Sequence, residues 1–162
     1  MTTSGTGDGR ADFDFLFGRW TVRNRRLRER LSGCTEWEEF SSACEARPIL
    51  GGLGNIDEFT LTLESGRILA VTVRLFNPAN GEWSIYWAAT NGHGRFDVPM
   101  VGRFEGPRGE FYAQEMHGGR HIFSRFIWTV LGGDACRWEQ AYSADGGRSW
   151  ETNWTMEFTR RT

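Results

Sequence analysis

Ten successive segments of the chain alternate apolar and polar residues, the two-residue period of a half-buried β-strand. The clearest runs over residues 56–64, where Asp57, Phe59, Leu61 and Leu63 share the face expected toward the core, with Asp57 at its rim, and Glu58, Thr60, Thr62 and Glu64 share the other. The last, over 150–160, sets Trp150, Trp154, Met156 and Phe158 against Glu151, Asn153, Thr155 and Glu157. No stretch shows a helical period of useful length. The pattern predicts an all-β fold, a single antiparallel up-and-down β-barrel of about 8–10 strands. Phe13, Phe15, Leu16 and Phe17 predict a short N-terminal helical turn that plugs one end. Residues 1–12 lack the apolar groups that could offset the entropy of ordering them and are expected to form a disordered leader, with the barrel domain spanning 13–162.

The faces of the middle strands follow from burying apolar residues. Leu69, Val71, Val73 and Leu75 are expected to point inward, followed by Trp83, Ile85 and Trp87 after the turn Asn77-Pro78-Ala79-Asn80-Gly81, with Arg74 and Tyr86 on the opposite face. Pro48 to Gly54 reads as a Gly-rich loop at a barrel mouth. Phe123 to Val130 is apolar on both faces, which suggests a dimer interface or a packed helical segment. Arginines 23, 25, 26, 28 and 30 in the first strand, Trp20 to Leu31, face Glu36, Glu38 and Glu39 in the next, Thr35 to Ala46, across a turn at Ser32-Gly33. Such a face of cross-strand ion pairs is a solvated surface rather than a nucleic-acid patch.

Composition narrows the classes. The net charge of −2 gives no electrostatic reason to expect nucleic acid or an anionic membrane as partner. All 19 basic residues are arginine, so lysine Schiff-base chemistry and a lysine-dependent phosphate loop are excluded. Cys34, Cys44 and Cys136 have neither metal-ligand nor redox-motif spacing and read as reduced and structural. No apolar run approaches a membrane span or a signal peptide, so a cytoplasmic location is expected. Eight Trp and twelve Phe imply an aromatic interior or an aromatic face that meets a partner.

An aromatic-rich turn, Gly18-x-Trp20 at the start of the first strand, a ten-strand meander and Arg160-Arg161 at the end together resemble the calycin superfamily, which includes lipocalins and fatty-acid-binding proteins. The resemblance implies a barrel whose Trp20 plugs the closed end with a basic residue, Arg160, packed across it. It is closest to calycin-like bacterial domains of unknown function. Separately, residues 143–150, Ser-Ala-Asp-Gly-Gly-Arg-Ser-Trp, resemble the Asp-box hairpin of sialidase propellers, where the motif is structural. It occurs once, so no propeller follows.

Four functions remain, one of them a structural or interaction module, which would show an exposed aromatic patch. The histidines His93, His117 and His121 lie in or beside Gly-rich loops, and the last two, four apart, would suit a metal or a haem iron only with a further ligand. No metal or cofactor is therefore expected. Acid–base chemistry of a lyase or isomerase type would draw on Asp57, Gln140 and Tyr142, joined by Arg26, Arg125 or Glu115, but no nucleophile motif accompanies them. The reading with fewest assumptions is binding of a small apolar or aromatic molecule inside the barrel. Trp83, Trp87, Trp138 and Trp154 would stack on it, and Arg26, Asp57, Gln140 and Tyr142 would anchor its polar end. A homodimer is the expected assembly.

Overall fold

The computed structural model describes residues 7–162; residues 1–6, half of the expected leader, lie outside the described residues. Ten strands follow in order: β1 (Gly18–Leu27), β2 (Trp37–Ile49), β3 (Gly54–Leu63), β4 (Gly66–Asn77), β5 (Glu82–Ala89), β6 (Met100–Glu105), β7 (Arg108–His117), β8 (Arg120–Val130), β9 (Ala135–Ser143) and β10 (Glu151–Arg160). Each pairs antiparallel with its chain neighbours, and β1 pairs with β10 to close the barrel. Closure joins the first and last strands, which removes the two terminal edges that an open sheet would expose. The seam is shortest between β5 and β6, where Trp83–Ile85 pair with Met100–Gly102. Across β1 and β2 the expected charge pairs align, with Arg25 opposite Glu39 and Arg26 opposite Glu38. The β1–β2 connection is longer than the Ser32-Gly33 turn read from the sequence. It spans residues 28–36, because Leu31 and Gly33 both take positive φ and carry the chain away from the ladder.

One end of the barrel is closed by the expected helical turn, Asp14–Leu16. Phe13 is fully buried and stands edge-on to Trp83 and Phe104, each 5.0 Å away between ring centroids, and to Trp128 at 6.0 Å. Trp20, also fully buried, donates from Nε1 to the Leu16 carbonyl at 2.8 Å. The Arg160 guanidinium lies 4.2 Å from the Trp20 ring centroid and donates to the carbonyls of Phe17 and Phe15 at 2.6 and 2.9 Å. Arg160 thus ties the last strand to the plug by charge, stacking and two hydrogen bonds. Gly18 is required beneath it: its φ is +108°, and a Cβ there would lie 2.8 Å from Arg160 Nη1. The Pro48–Gly54 connection also lies at this plugged end and not at a mouth, with the Leu53 carbonyl accepting from the Phe76 amide.

The facing of β4 differs from the sequence reading. Ala70, Thr72, Arg74 and Phe76 point inward and are buried, while Leu69, Val71, Val73 and Leu75 form the outer face. The cause is the tight β3–β4 hairpin, which sets Leu63 opposite Gly66 and therefore Asp57 opposite Thr72. Directly paired residues share a face, so an inward Asp57 forces Thr72, and with it Arg74, inward. Arg74 answers the buried carboxylate: its Nη2 lies 2.7 Å from Asp57 Oδ2, and its Nη1 donates to Asn55 Oδ1 at 2.9 Å. Asp57 is accordingly in the interior, not at a rim.

In β10 the strict alternation breaks at a bulge between Thr152 and Trp154. Asn153, expected outside, is fully buried and accepts from Gln140 Nε2 at 2.8 Å. Trp150, expected inside, instead meets the Arg125 guanidinium at 4.5 Å and Tyr112 on the outer face. The Ser143–Trp150 hairpin is tied as its motif implies: Asp145 accepts from the Ser149 amide and hydroxyl, and the Ser143 hydroxyl accepts from the Gly147 amide. These donors hold the exposed Asp145 carboxyl down at a pKa of about 2.

Removing one partner of a buried ion pair strands the other charge, at a cost of about 3–5 kcal/mol. Arg74→Met should lower the unfolding free energy by that order in denaturant titration. The double variant Arg74→Met, Asp57→Asn should recover most of the loss, and an additive loss in the double variant would show that the two residues are not coupled.

Candidate functional site

Above the plug the interior stays open as a cavity of about 180 Å³. Arg74 forms part of its floor, held over Phe13 at 5.1 Å and Trp128 at 5.5 Å from the ring centroids. Phe59, Trp87, Phe126, Trp138 and Trp154 supply aromatic walls. These rings pack edge to face: Trp138 to Trp154 at 5.3 Å and 88°, Trp87 to Trp154 at 6.3 Å and 87°, and Phe126 to Trp138 at 4.9 Å and 68°. The Trp154 indole is fixed further by donating from Nε1 to Asn24 Oδ1 at 3.0 Å. Edge-to-face contacts of this kind hold ring orientation as well as burying area.

The mouth is polar. Arg30, Asp97, Glu115, Gln140 and Tyr142 line it together with the apolar Val98. The 28–36 loop carries Arg30 over the opening and is pinned at Leu31, whose amide donates to Glu151 Oε1 at 2.8 Å and whose carbonyl accepts from Arg120 at 3.2 Å. Asp97 is placed by its amide donating to the Trp87 carbonyl at 2.9 Å. Burial raises the Glu115 pKa, and the nearby Asp97 charge raises it further. Burial likewise raises Asp97, with His93 opposing the shift, and pushes the Tyr142 hydroxyl up to about 12. Burial lowers Arg30, against the pull of Glu38 and Glu151.

Of the residues singled out in the sequence, Trp87, Glu115, Trp138, Trp154, Gln140 and Tyr142 converge on this cavity. Asp57 lies behind its floor and reaches it only through Arg74. Arg26 faces inward behind Trp154, its guanidinium 5.0 Å from that ring centroid and bonded to Glu38 at 2.7 and 2.9 Å. Trp83 is set apart from the cavity: it belongs to the plug, where its Nε1 donates to the Gly9 carbonyl at 3.1 Å. His117 stands beside Tyr142 at 5.3 Å between ring centroids, but His121 points to the outer face, because Met116 pairs with His121 while His117 pairs with Arg120. The two imidazoles therefore do not converge. Among the described residues no group of three His, Cys, Asp or Glu side chains is arranged to hold a metal. Burial pushes the Cys136 thiol up to about 12 and raises Cys44 as well, so neither is a thiolate at neutral pH.

Arg74, Asp97 and Arg30 were not among the sequence candidates. A signal for Arg74 existed, since an inward Asp57 demands a counter-charge from an adjacent strand. Asp97 and Arg30 sit in irregular loops, where strand periodicity carries no information.

No family model matches the chain, and no curated protein matches it. Among solved structures it is similar to Rv2717c from M. tuberculosis, at a TM-score of 0.62 and 10% identity, covering 96% of this chain and 99% of that one. It is also similar to EF1p2_mFAP2b bound to DFHBI, at a TM-score of 0.51 and 12% identity, covering 96% and 100%. At such identities the likeness shows a common barrel fold. Among the described residues no helix is long and apolar enough to cross a membrane.

A carboxyl whose pKa is raised by folding weakens the native state as pH climbs from its unfolded value toward its folded one. Glu115→Gln removes that penalty. It should therefore raise the melting temperature at pH 7.5 while leaving it unchanged at pH 4, where the native Glu115 is already protonated. An equal change at both pH values would assign the effect to packing instead.

Proposed function

We propose that this protein binds a small apolar or aromatic molecule in the barrel interior. The observation that carries the reading is the aromatic cavity of about 180 Å³, open at a polar mouth and continuous below with the packed core of the plug. That volume is comparable to the roughly 150 Å³ of an engineered apolar cavity that takes up benzene. It suits a molecule of one or two rings. Trp87, Trp138 and Trp154 supply the apolar contact, and Gln140 and Tyr142 the polar orientation. The similarity to a protein described as bound to DFHBI supports small-molecule binding.

With this reading go a calycin-like ancestry, carried by the Gly18-x-Trp20 turn and its Arg160 cover, a cytoplasmic location and a homodimer. Exposed Tyr112 and Met116 on the outer face of β7 are candidates for the dimer contact.

Native mass spectrometry of gently purified protein, beside its denatured mass, reports assembly and any retained molecule together. A retained mass below a few hundred daltons is expected. Ser124 is buried in the cavity wall, so Ser124→Leu fills the space without touching the aromatic walls. It should abolish both retention and the uptake of added 2-phenylethanol measured by calorimetry. Undiminished uptake in a folded Ser124→Leu variant would place binding elsewhere.

A further inference from the structure

The cavity is electrostatically one-sided. Of the cations around it, Arg74 is matched by Asp57 at 2.7 Å and Arg26 by Glu38 at 2.7 Å. Arg30 at the mouth has no carboxylate at ion-pair distance among the described residues: Glu38 already serves Arg26 and Arg28, and Glu151 accepts from the Leu31 amide. The two remaining charged groups on the lining, Glu115 and Asp97, are both acidic, and among the described residues neither has a cationic nitrogen at ion-pair distance. With Arg74 neutralised by Asp57, two carboxylates on the lining stand against the single guanidinium of Arg30, a surplus of one negative charge.

The ring geometry adds to that bias. Trp87 and Trp138 each stand nearly perpendicular to Trp154, at 87° and 88°, with centroids 6.3 and 5.3 Å away. Perpendicular rings present their electron-rich faces from more than one direction, as a single flat stack cannot, and tryptophan is the best of the aromatic cation acceptors. The Arg26 guanidinium already uses Trp154 in this way from behind, and Glu38 neutralises it.

We propose that the molecule taken into the barrel carries a cationic nitrogen, an amine or quaternary ammonium, held among Trp87, Trp138 and Trp154 with Glu115 and Asp97 as its counter-charges. The proposal rests on the small-molecule reading above and narrows its ligand to a chemical class. An anionic ligand would meet two carboxylates against the one guanidinium of Arg30. A neutral one would leave both the carboxylates and the ring faces unused.

The test is calorimetric titration of the full chain with three probes that share one phenyl ring and nearly one length: 2-phenylethylamine, 2-phenylethanol and 3-phenylpropanoate. At neutral pH the amine is expected to bind about tenfold more tightly than the alcohol, a preference within reach of a desolvated cation–π contact, and the carboxylate more weakly than either. Glu115→Gln should erase most of the preference while leaving the alcohol's affinity near that of the native protein. Asp97→Asn, at the exposed rim, should reduce it in the same direction. Near-UV circular dichroism confirms that each variant keeps its packing. Equal binding of amine and alcohol, or tightest binding of the carboxylate, overturns the inference and leaves the cavity reading standing. If no probe binds, both fall.

Discussion

The Asp57–Arg74 pair divides the barrel in two. A charge pair shut away from water is stable only where close geometry and further polar partners offset the loss of hydration. Here Asn55 accepts from Arg74 and the guanidinium rests on the Phe13 and Trp128 rings, while the Asp57 oxygens have no hydrogen-bond partner among the described residues and are held by the charge of Arg74. Below that level the interior is an aromatic plug fastened by Trp20 and Arg160. Above it the interior is a cavity whose floor is polar but locally neutral. Asp57 alone would be a stranded anion. Arg74 alone would be a buried cation able to draw any carboxylate into the barrel.

Much of the fold was legible because strand periodicity is a local signal. The alternation of residues 56–64 places Asp57, Phe59 and Leu61 inside, as found, and the Phe13–Phe17 cluster forms the plug it suggests. β4 shows where the signal runs out. Its outer positions Leu69, Val71 and Val73 are more apolar than its inner Thr72 and Arg74, so hydrophobicity selects the wrong face. Register across the β3–β4 hairpin, together with the need to neutralise Asp57, decides the matter, and both are non-local. The β10 bulge has the same character: one inserted residue brings Asn153 to Gln140 and leaves Trp150 outside, with nothing in the residue pattern to mark it.

The site was legible in part for a related reason. Five of the eight chosen residues, Trp87, Trp138, Gln140, Tyr142 and Trp154, line the cavity, and all five lie on regular strands. Trp83 shares the face of Trp87 but lies lower, and only the position of the plug along the barrel axis separates a core tryptophan from a wall tryptophan. That position is set by residues 9–17, far away in sequence.

The same separation explains why the cavity stays open. Phe13 packs against Trp83, Phe104, Phe111 and Trp128, so the space among the lower rings is filled. The upper tryptophans have no such insert. They are held by contacts with one another and by side-chain hydrogen bonds such as Trp154 to Asn24, which fix orientation without filling the space between them. A wall built this way gains little from collapsing, because closing the gap would break the edge-to-face contacts that hold it and would drive Glu115 deeper into an apolar setting. The opening is thus maintained by the geometry of its own lining, and its acidic rim, already raised in pKa by partial burial, is the part of the structure with most to gain from an incoming positive charge.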